Sequence, residues 1–248
     1  MSTHTAIVTG GGRGIGRAVV ERLVRDDARV VACGRSTPEQ LPDGVRWVRA
    51  DVARTADAER VVEEANDTFG PVSLLVNNAG VQLERTVAES TDDDWDLVVG
   101  VNCRGTFAMS RAVLPQMTEH GGVIVNIGST SGVVADPSMA LYNASKAFVH
   151  GLTRSIAVDH GPAVRCNAVQ PGWILTAMAD DAFAQARDPE AARRDALARH
   201  PVGRFGEPSD IADVVAWLAS DEARYVTGAL ITADGGSTAA SPLHPGLF

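Results

Sequence analysis

Short runs of apolar, often β-branched residues alternate along the chain with longer segments in which apolar residues recur every three to four positions. The short runs are TAIVT, RVVAC, VRWVRA, SLLVNN, GVIVNIG, AVRCNAVQ and ALITA. Continuous apolar runs are typical of parallel strands buried on both faces, and the spacing of three to four is typical of amphipathic helices. The pattern predicts an α/β fold, a doubly wound parallel sheet of about seven strands with helices on both faces.

The chain is predicted to form one domain, residues 1–248, because no shift in composition and no internal repeat divides its 248 residues. The least strand-like stretch is residues 176–208, where ADDAFAQARDPEAARRDALARH predicts helix. We expect a helical lid over a cleft there; the alternative is an ordinary pair of surface helices. The tail from Ser237 to Phe248 contains two prolines and is either loose or packed on a neighbouring subunit.

The formal net charge of −9 disfavours nucleic acid and anionic membranes as partners. Cys33, Cys103 and Cys166 are widely spaced among apolar neighbours, which predicts reduced, buried thiols rather than disulfides or a metal site. The start MSTHTAIVTG lacks the features of a signal peptide, and no run reaches the roughly 18 apolar residues of a membrane span. We therefore expect a cytoplasmic protein.

Tyr142 and Lys146 stand four residues apart in LYNASKAFVHGL, a segment with helical spacing, so their side chains share one helix face. A neighbouring ammonium favours the phenolate, so the pair predicts a tyrosine of lowered pKa that exchanges a proton with an oxygen atom. Ser129 lies 13 positions before Tyr142 and follows a buried strand. Its hydroxyl is expected to hold a substrate carbonyl while Tyr142 delivers the proton.

Gly10, Gly14 and Gly16 in TGGGRGIG lie between a predicted strand and a predicted helix. Such a turn lets backbone and a helix N-terminus approach a pyrophosphate, whereas a phosphate loop of the Walker type is excluded because Gly-Lys-Ser/Thr does not follow. Candidate motifs follow four predicted strands, at Gly10, Asn77, Ser129 and Pro171. Parallel strands gather their carboxyl ends at one edge, so one cleft is expected there.

The motifs TGGGRGIG, NNAG, Asn102, Ser129, YNASK and PGWILT occur in the order seen in short-chain dehydrogenases/reductases, and the chain resembles that family from its start to VTGALITADGG. The resemblance implies a Rossmann-like fold and hydride transfer between a nicotinamide cofactor and a carbonyl carbon. No metal is expected, because Tyr142 and Ser129 already polarise the oxygen. It also implies a homotetramer built through the long helices and the last helix and strand.

The resemblance implies a role for each catalytic residue. Tyr142 is the general acid/base, Ser129 orients the substrate oxygen, and Lys146 binds the nicotinamide ribose. Asn102 positions a water that links Lys146 to solvent; the alternative is that its amide satisfies a backbone group. The predicted cofactor site comprises Gly10, Gly12, Arg13, Gly14, Ile15, Gly16, Arg35, Asp51, Val52, Asn78, Ala79, Gly80, Tyr142, Lys146, Gly172, Ile174 and Thr176.

Several of these positions carry specific expectations from the resemblance. The carboxylate of Asp51 receives the adenine amino group, with Val52 beside the ring; a helix N-cap is the structural alternative for Asp51. Residues 78–80 line the ribose of the cofactor. Ile174 and Thr176 hold the nicotinamide carboxamide.

The choice of cofactor depends on the end of the second strand, in RVVACGRSTPEQ. The acid that would bind the ribose hydroxyls of NAD is replaced by Gly34, and Arg35 follows it. Arg13 is a second cation near the same corner, and guanidinium groups bind a 2′-phosphate. NADP(H) is therefore favoured. The alternative is that Arg35 stacks on adenine and Arg13 is a solvated loop charge, which leaves NAD usable.

The residues expected to face the substrate are mostly apolar and include no arginine; they are Gln82, Ser129, Ser131, Val133, Val134, Met139, Tyr142, Trp173, Leu175 and Met178. They predict a neutral, largely hydrophobic ketone or secondary alcohol, although core packing beneath the lid would explain the same apolar set. The alternatives are an NAD-dependent secondary alcohol dehydrogenase and a 3-oxoacyl thioester reductase, which would need a basic docking surface. A redox-sensing or scaffolding protein without catalysis is a different class, for which a proton donor has no use.

Overall fold

The computed structural model of the protein describes residues 4–239, so the end of the predicted tail, residues 240–248, lies outside the described residues. One sheet of seven parallel strands runs in the order β3-β2-β1-β4-β5-β6-β7. The strands are β1 (Thr5–Thr9), β2 (Arg29–Gly34), β3 (Arg46–Arg49), β4 (Leu74–Asn77), β5 (Gly122–Ile127), β6 (Val164–Pro171) and β7 (Leu230–Ala233). The predicted doubly wound, Rossmann-like α/β fold is confirmed.

Helices cover both faces of this sheet. They are α1 (Gly14–Arg25), α2 (Thr55–Phe69), α3 (Asp92–Val98), α4 (Thr106–His120), α5 (Ala140–Asp159), α6 (Ala177–Gln185), α7 (Pro189–Ala198) and α8 (Pro208–Ala219). Successive strand residues face opposite sides: Ile7 packs with α2, α4 and α5, whereas Val8 packs with α1 and α8. Within residues 4–239 each helix is too short or too polar to cross a lipid bilayer.

The strand order reverses at β1, which pairs with β2 on one side and with β4 on the other. After β1 the chain crosses toward β2, and after β4 it crosses toward β5, on the opposite side of the sheet. A crevice therefore opens between the carboxyl ends of β1 and β4. Thr9, Asn77 and Ile127 end neighbouring strands at this edge. The sheet thus brings together the motifs that the sequence places after its strands.

Two predicted helices are more complex in the structure. The apolar spacing of residues 92–117 predicts one long helix; this stretch is helical throughout but contains a π-helical segment, Val99–Gly105, between α3 and α4. The helix expected within residues 179–200 is two helices, α6 and α7. It divides because Ala186 is extended and Pro189, at the first position of α7, has no amide hydrogen to continue the preceding helix.

The three cysteines are free and buried, as predicted. Burial raises the pKa of the Cys33 and Cys166 thiols to about 12 and that of Cys103 to about 11. Thiols with such pKa values stay protonated near neutral pH and act as small core residues.

Candidate active site

The turn between β1 and α1 brings bare backbone to the crevice. Gly10 and Gly14 have φ angles of +65° and +52°, which side-chain-bearing residues rarely adopt. A Cβ on Gly16 would lie 2.3 Å from the Gly10 carbonyl oxygen, so a side chain there would force the turn apart. The N-cap residue Arg13 makes no side-chain cap hydrogen bond. The first-turn amide groups, including that of Ile15, are therefore donors suited to a pyrophosphate.

The end of β2 combines a glycine, an aromatic ring and two exposed cations. Arg13 and Arg35 are both exposed. The Trp47 indole from β3 lies 3.0 Å from where a Cβ on Gly34 would be, and 3.3 Å from a Cβ on Gly12. The ring therefore occupies the space into which an acidic side chain at position 34 would extend. This corner offers cations rather than a carboxylate next to the glycine turn.

Asp51 forms a local turn in the loop after β3. Its Oδ1 accepts a hydrogen bond from the Ala53 amide at 3.1 Å. The N-cap residue of α2 is Arg54, so the expected alternative role of Asp51 as a helix cap is wrong. Val52 is buried and packs against Gly105 of the π-helical segment.

The NNAG motif after β4 ties two strand ends together. The Asn78 side-chain amide donates to the Thr9 carbonyl at 2.9 Å, and the Ala79 backbone amide donates to the Thr9 hydroxyl at 3.0 Å. A Cβ on Gly80 would lie 3.4 Å from the Asn102 amide oxygen. These residues fix the crevice wall between the glycine turn and Asn102.

Asn102 lies in the π-helical segment and is 1% exposed. Its Oδ1 accepts from the Val81 amide at 2.8 Å, and its Nδ2 donates to the Val81 carbonyl and the Ser145 hydroxyl, both at 2.9 Å. The Ser145 hydroxyl in turn donates to the Tyr142 carbonyl at 2.8 Å. Asn102 therefore braces the β4 loop against α5, which fits the alternative that its amide satisfies backbone groups.

Ser129, Tyr142 and Lys146 meet at the end of β5. Ser129 follows that strand, and Tyr142 and Lys146 lie one turn apart on α5, as predicted. Their exposed fractions are 7%, 9% and 5%. The Lys146 Nζ donates to the Ile127 carbonyl at 2.9 Å and lies 5.6 Å from the centre of the Tyr142 ring. The end of β5 and the start of α5 thus bring a serine beside a tyrosine and a lysine that lie 13 and 17 positions further along the chain.

The pKa values of this pair differ from the expectation. Burial raises the pKa of Tyr142 to about 12; the hydrogen bond with Ser129 acts in the opposite direction, and the Asp136 carboxylate raises the pKa further. Burial lowers the pKa of Lys146 to about 8. The predicted lowering of the Tyr142 pKa is therefore wrong for this structure, because lost hydration outweighs the hydrogen bond with Ser129.

A chain of hydroxyl groups connects Ser129 to a carboxylate. The Ser129 hydroxyl donates to Ser131 Oγ at 3.0 Å, and the Ser131 hydroxyl donates to Asp136 Oδ2 at 2.5 Å. The Ser131 amide also donates to Ser129 Oγ at 3.1 Å. Ser131 is thus beside Ser129, as expected, and Asp136 belongs to the same cluster.

His150 supports the same loop from behind. Its ring is 3% exposed and lies between Gly128 and Gly132, where a Cβ on either glycine would come within 2.4 Å of a ring atom. The Gln170 side-chain nitrogen lies 3.4 Å from both ring nitrogens. Burial, followed by the charge of Lys146, lowers the pKa of His150 to about 4. The ring is therefore neutral at pH 7.

The segment after β6 connects the sheet to α6. A Cβ on Gly172 would lie 2.9 Å from Asp234, so this glycine permits close packing next to β7. Ile174 is 6% exposed. Thr176 is the N-cap residue of α6, and its hydroxyl accepts a hydrogen bond from the Ala179 amide. A Cβ on Gly14 would lie 3.3 Å from the Thr176 methyl group. Thr176 is therefore adjacent to the glycine turn, as its predicted role requires.

The predicted substrate residues separate into buried and exposed positions. Met139 is 8% exposed at the start of α5. The Trp173 ring stacks on Phe183 of α6 at 4.6 Å, whereas Met178 is 38% exposed. Trp173 thus joins the end of β6 to α6. Met178, on the outer part of that helix, is not among the buried residues.

Known proteins match this chain over nearly its whole length. The family described as enoyl-(acyl carrier protein) reductase, a short-chain dehydrogenase/reductase family, matches residues 10–238. The chain is 40% identical to 2-(S)-hydroxypropyl-CoM dehydrogenase 3 of Xanthobacter autotrophicus, covering 96% of this chain and 98% of the relative. It is 36% identical to the NADP-dependent (R)-specific alcohol dehydrogenase of Lentilactobacillus kefiri, covering 94% and 96%. The ligand-free aldohexose dehydrogenase of Thermoplasma acidophilum has a TM-score of 0.91, with 31% identity and coverage of 97% and 96%.

The chain belongs to the short-chain dehydrogenase/reductase family. It is an oxidoreductase that acts on CH–OH or C=O groups, and its family implies a nicotinamide cofactor. The glycine turn with free amide donors and the bare crevice wall fit the pyrophosphate of such a cofactor. Within residues 4–239 of this short-chain dehydrogenase/reductase, no group of three His, Cys, Asp or Glu side chains is placed to bind a metal ion.

Three residues of the site were missed in the sequence of this short-chain dehydrogenase/reductase. Asp136 lies in an irregular loop, where no periodicity indicates which way a side chain points. His150 follows Lys146 by one helical turn, and the two glycines that flank Ser129 and Ser131 in GSTSG were the available sign that a bulky group packs there. Trp47 comes from β3 and meets Gly34 only through strand pairing.

Proposed function

We propose that this protein is an NADP(H)-dependent reductase of neutral, mostly hydrophobic ketones, with the secondary alcohols as products or reverse substrates. The observation that carries the proposal is the buried cluster of Ser129, Tyr142 and Lys146 at the end of β5, at the same sheet edge as the free amide donors of the glycine turn. A protein that only binds a nucleotide has no need of a buried proton donor beside its nicotinamide end.

Each residue of the cluster has a task that its position supports. Tyr142 donates its phenolic proton to the carbonyl oxygen. Ser129 holds that oxygen by turning its one hydroxyl proton from Ser131 Oγ to the substrate. At pH 7 the phenol is protonated, since its pKa is about 12, and this is the form that reduction needs. Lys146 would bind the ribose hydroxyls, and Asn102 braces the loop after β4 against the helix that carries Tyr142 and Lys146. The nicotinamide, when bound, supplies the hydride to the carbonyl carbon.

The preference for NADP(H) is supported by the two exposed guanidinium groups of Arg13 and Arg35 beside Gly34. A 2′-phosphate placed there meets cations that can bind it through paired hydrogen bonds. One relative is described as NADP-dependent, which agrees. Residues 78–80, Ile174 and Thr176 would line the ribose and carboxamide. An NAD-dependent secondary alcohol dehydrogenase is the alternative, and it requires these guanidinium groups to contribute little.

The lid and the assembly stay predictions. Helices α6 and α7 follow Thr176, and the Trp173–Phe183 stack connects them to the strand end, which supports a lid within residues 176–208 of a single domain. Phe107, Phe148 and Val158 are exposed at 43%, 43% and 80%, which supports contacts between copies in a homotetramer. Light scattering on the eluting peak of a sizing column measures that state. A cytoplasmic location likewise stays a prediction.

Turnover measured by nicotinamide absorbance tests the proposal. Purified protein is mixed with NADPH or NADH and a panel of neutral ketones, with acetoacetyl-CoA as the thioester. We expect NADPH oxidation with the ketones, and a fall in kcat on the order of 10³-fold in Tyr142→Phe with NADPH binding preserved. Tyr225→Phe, at a fully exposed tyrosine, is the matched control and is expected to act as wild type.

Two outcomes contradict the proposal. Near-normal turnover by Tyr142→Phe removes the proton donor from the mechanism. No oxidation of either cofactor with any ketone, and no reduction with any alcohol, favours a binding protein. Efficient turnover of the thioester alone favours the 3-oxoacyl reductase.

A further inference from the structure

Asp136 is a carboxylate close to the predicted substrate residues Ser129 and Ser131, in a set of predicted substrate contacts that is mostly apolar. It is half-buried in the loop before α5, and its backbone carbonyl accepts a hydrogen bond from the Asn143 side chain at 3.0 Å. Its Oδ2 accepts from the Ser131 hydroxyl, which accepts from Ser129. Hydrogen bonds from Ser131 and Asn143 therefore hold Asp136 close to Ser129.

The length of this chain limits how far the charge lies from the chemistry. Two consecutive hydrogen bonds of 3.0 and 2.5 Å join Ser129 Oγ to Asp136 Oδ2, so these atoms are at most about 5.5 Å apart. A carbonyl oxygen bound to Ser129 adds roughly 3 Å. The reacting oxygen thus lies within about 8 Å of the carboxylate, inside the screening length of physiological salt.

Within residues 4–239 the Asp136 carboxylate forms no salt bridge with a basic side chain. Its charge acts on Tyr142 through space, in the direction that makes the phenolate harder to form. A substrate group of the same sign near the carbonyl meets the same repulsion.

We propose that Asp136 is a specificity-determining residue that excludes ketones with an anionic group close to the carbonyl. This inference rests on the proposed function, because it needs Ser129 to hold the substrate oxygen. The substrate class becomes narrower: ketones that are neutral or cationic at the reacting end, with any anionic group several bonds away. A carboxylate next to the carbonyl lies a few ångströms beyond the reacting oxygen, so its charge lies within roughly 12 Å of Asp136. At an effective dielectric constant near 20, two like charges about 12 Å apart repel enough to lower kcat/KM roughly tenfold.

A pair of substrates that differ in charge alone tests this inference. Methyl acetoacetate and acetoacetate carry the same ketone, but only the second has a carboxylate next to it. The ratio of kcat/KM for methyl acetoacetate to kcat/KM for acetoacetate is measured with saturating cofactor for wild type and for Asp136→Asn. We expect the ratio to fall about tenfold in the variant, because acetoacetate improves while the ester changes less than threefold.

Two further variants separate charge from structure. Asp159→Asn makes the same charge change at the far end of α5, roughly 25 Å along the helix from Tyr142, and is expected to leave the ratio unchanged. Ser131→Ala breaks the hydroxyl chain but keeps the carboxylate, so its ratio is expected to stay near that of wild type. A thermal unfolding curve for each variant identifies any loss of fold.

An unchanged ratio in Asp136→Asn with intact ester reduction overturns the inference and leaves the proposed function standing. An equal fall of kcat/KM for both substrates also overturns the inference, since Asp136 then only holds the loop that carries Ser129. If wild type reduces neither ketone with either cofactor, nor any other ketone, the proposed function itself fails.

Discussion

The two ends of the crevice are built in opposite ways. At the glycine turn, the groups suited to a ligand are backbone amides and two exposed arginines, none of which has to be buried to bind it. At the end of β5, the reacting groups are three side chains that are at least nine-tenths buried, and burial displaces the pKa of both Tyr142 and Lys146. The glycine turn therefore has its donors in place without a ligand. At the end of β5, burial makes the charged forms of Tyr142 and Lys146 unfavourable.

This difference shows where folding and function conflict. Burial of an ammonium is unfavourable unless it is compensated, and the Lys146 ammonium has only one hydrogen bond from Nζ to protein within residues 4–239, to the Ile127 carbonyl. A bound ribose would add hydroxyl partners for that group. In the proposed function, the cofactor would thus add hydrogen-bond partners for Lys146, whereas the amide donors of the glycine turn are in place without it.

Replacing Lys146 is expected to give the largest effect, and with opposite signs on activity and stability. In Lys146→Met we expect kcat to fall roughly 10³-fold, while the free energy of unfolding at pH 7 rises by on the order of 1–3 kcal/mol. Between pH 8 and 10.5 the unfolded chain binds more protons at this group than the folded one, so wild type gains stability with rising pH. The gap between variant and wild type therefore narrows across that window.

Denaturant unfolding at several pH values measures this gap. Lys146 is the only lysine in the chain, so protein labelled with ¹⁵N-lysine gives a single Nζ resonance whose titration reports the pKa directly. A midpoint near 10.5 rather than about 8, or a variant less stable than wild type at pH 7, contradicts the comparison.

Changing the charge at the other end is expected to alter cofactor choice and leave the chemistry intact. In Arg35→Glu the ratio of kcat/KM for NADPH over NADH is expected to fall roughly 100-fold, because a carboxylate repels the 2′-phosphate. Steady-state kinetics with each cofactor and one neutral ketone measure the ratio. Arg25→Glu, at the far end of α1, is the control with the same charge change. Equal losses for both cofactors show that Arg35 does not bind the phosphate.

The smallest expected effect concerns the packing behind Ser129. His150→Ala is expected to lower kcat about tenfold with unchanged cofactor affinity, because the loop between Gly128 and Gly132 loses its support. Gly132→Ala is expected to be damaging alone, since its Cβ would lie 2.4 Å from the ring, but less so in combination with His150→Ala. The four-member cycle of kcat values measures this coupling, and strictly additive losses would show that the ring does not position Ser129.

The sequence predicts those parts that depend on local pattern. Apolar runs and helical spacing give the seven strands and both helical layers, and the residues that follow strands give the edge where Gly10, Asn77, Ser129 and Pro171 gather. Tyr142 and Lys146 need only helical periodicity to share a face. For the same reason, the turn of bare glycines before α1 is recognisable without coordinates.

Other features depend on contacts between distant residues. Trp47 reaches Gly34 through strand pairing, His150 fits between glycines of another segment, and the orientation of Asp136 is set by Ser131. The sign of the Tyr142 pKa shift was missed because it depends on the competition between burial and neighbouring charge, and burial cannot be read from spacing. Asn102 likewise bonds to Val81, which lies 21 positions earlier in the chain.

The brace formed by Asn102, Ser145 and the Tyr142 carbonyl has a consequence for affinity. Ser145 stands between Tyr142 and Lys146 in the sequence and fastens their helix to the π-helical segment. Backbone freedom at the proton donor is thus lost when the chain folds, not when a ligand arrives. In the proposed mechanism, a substrate meets a preorganised hydroxyl, so its binding free energy is not reduced by the conformational entropy of ordering α5.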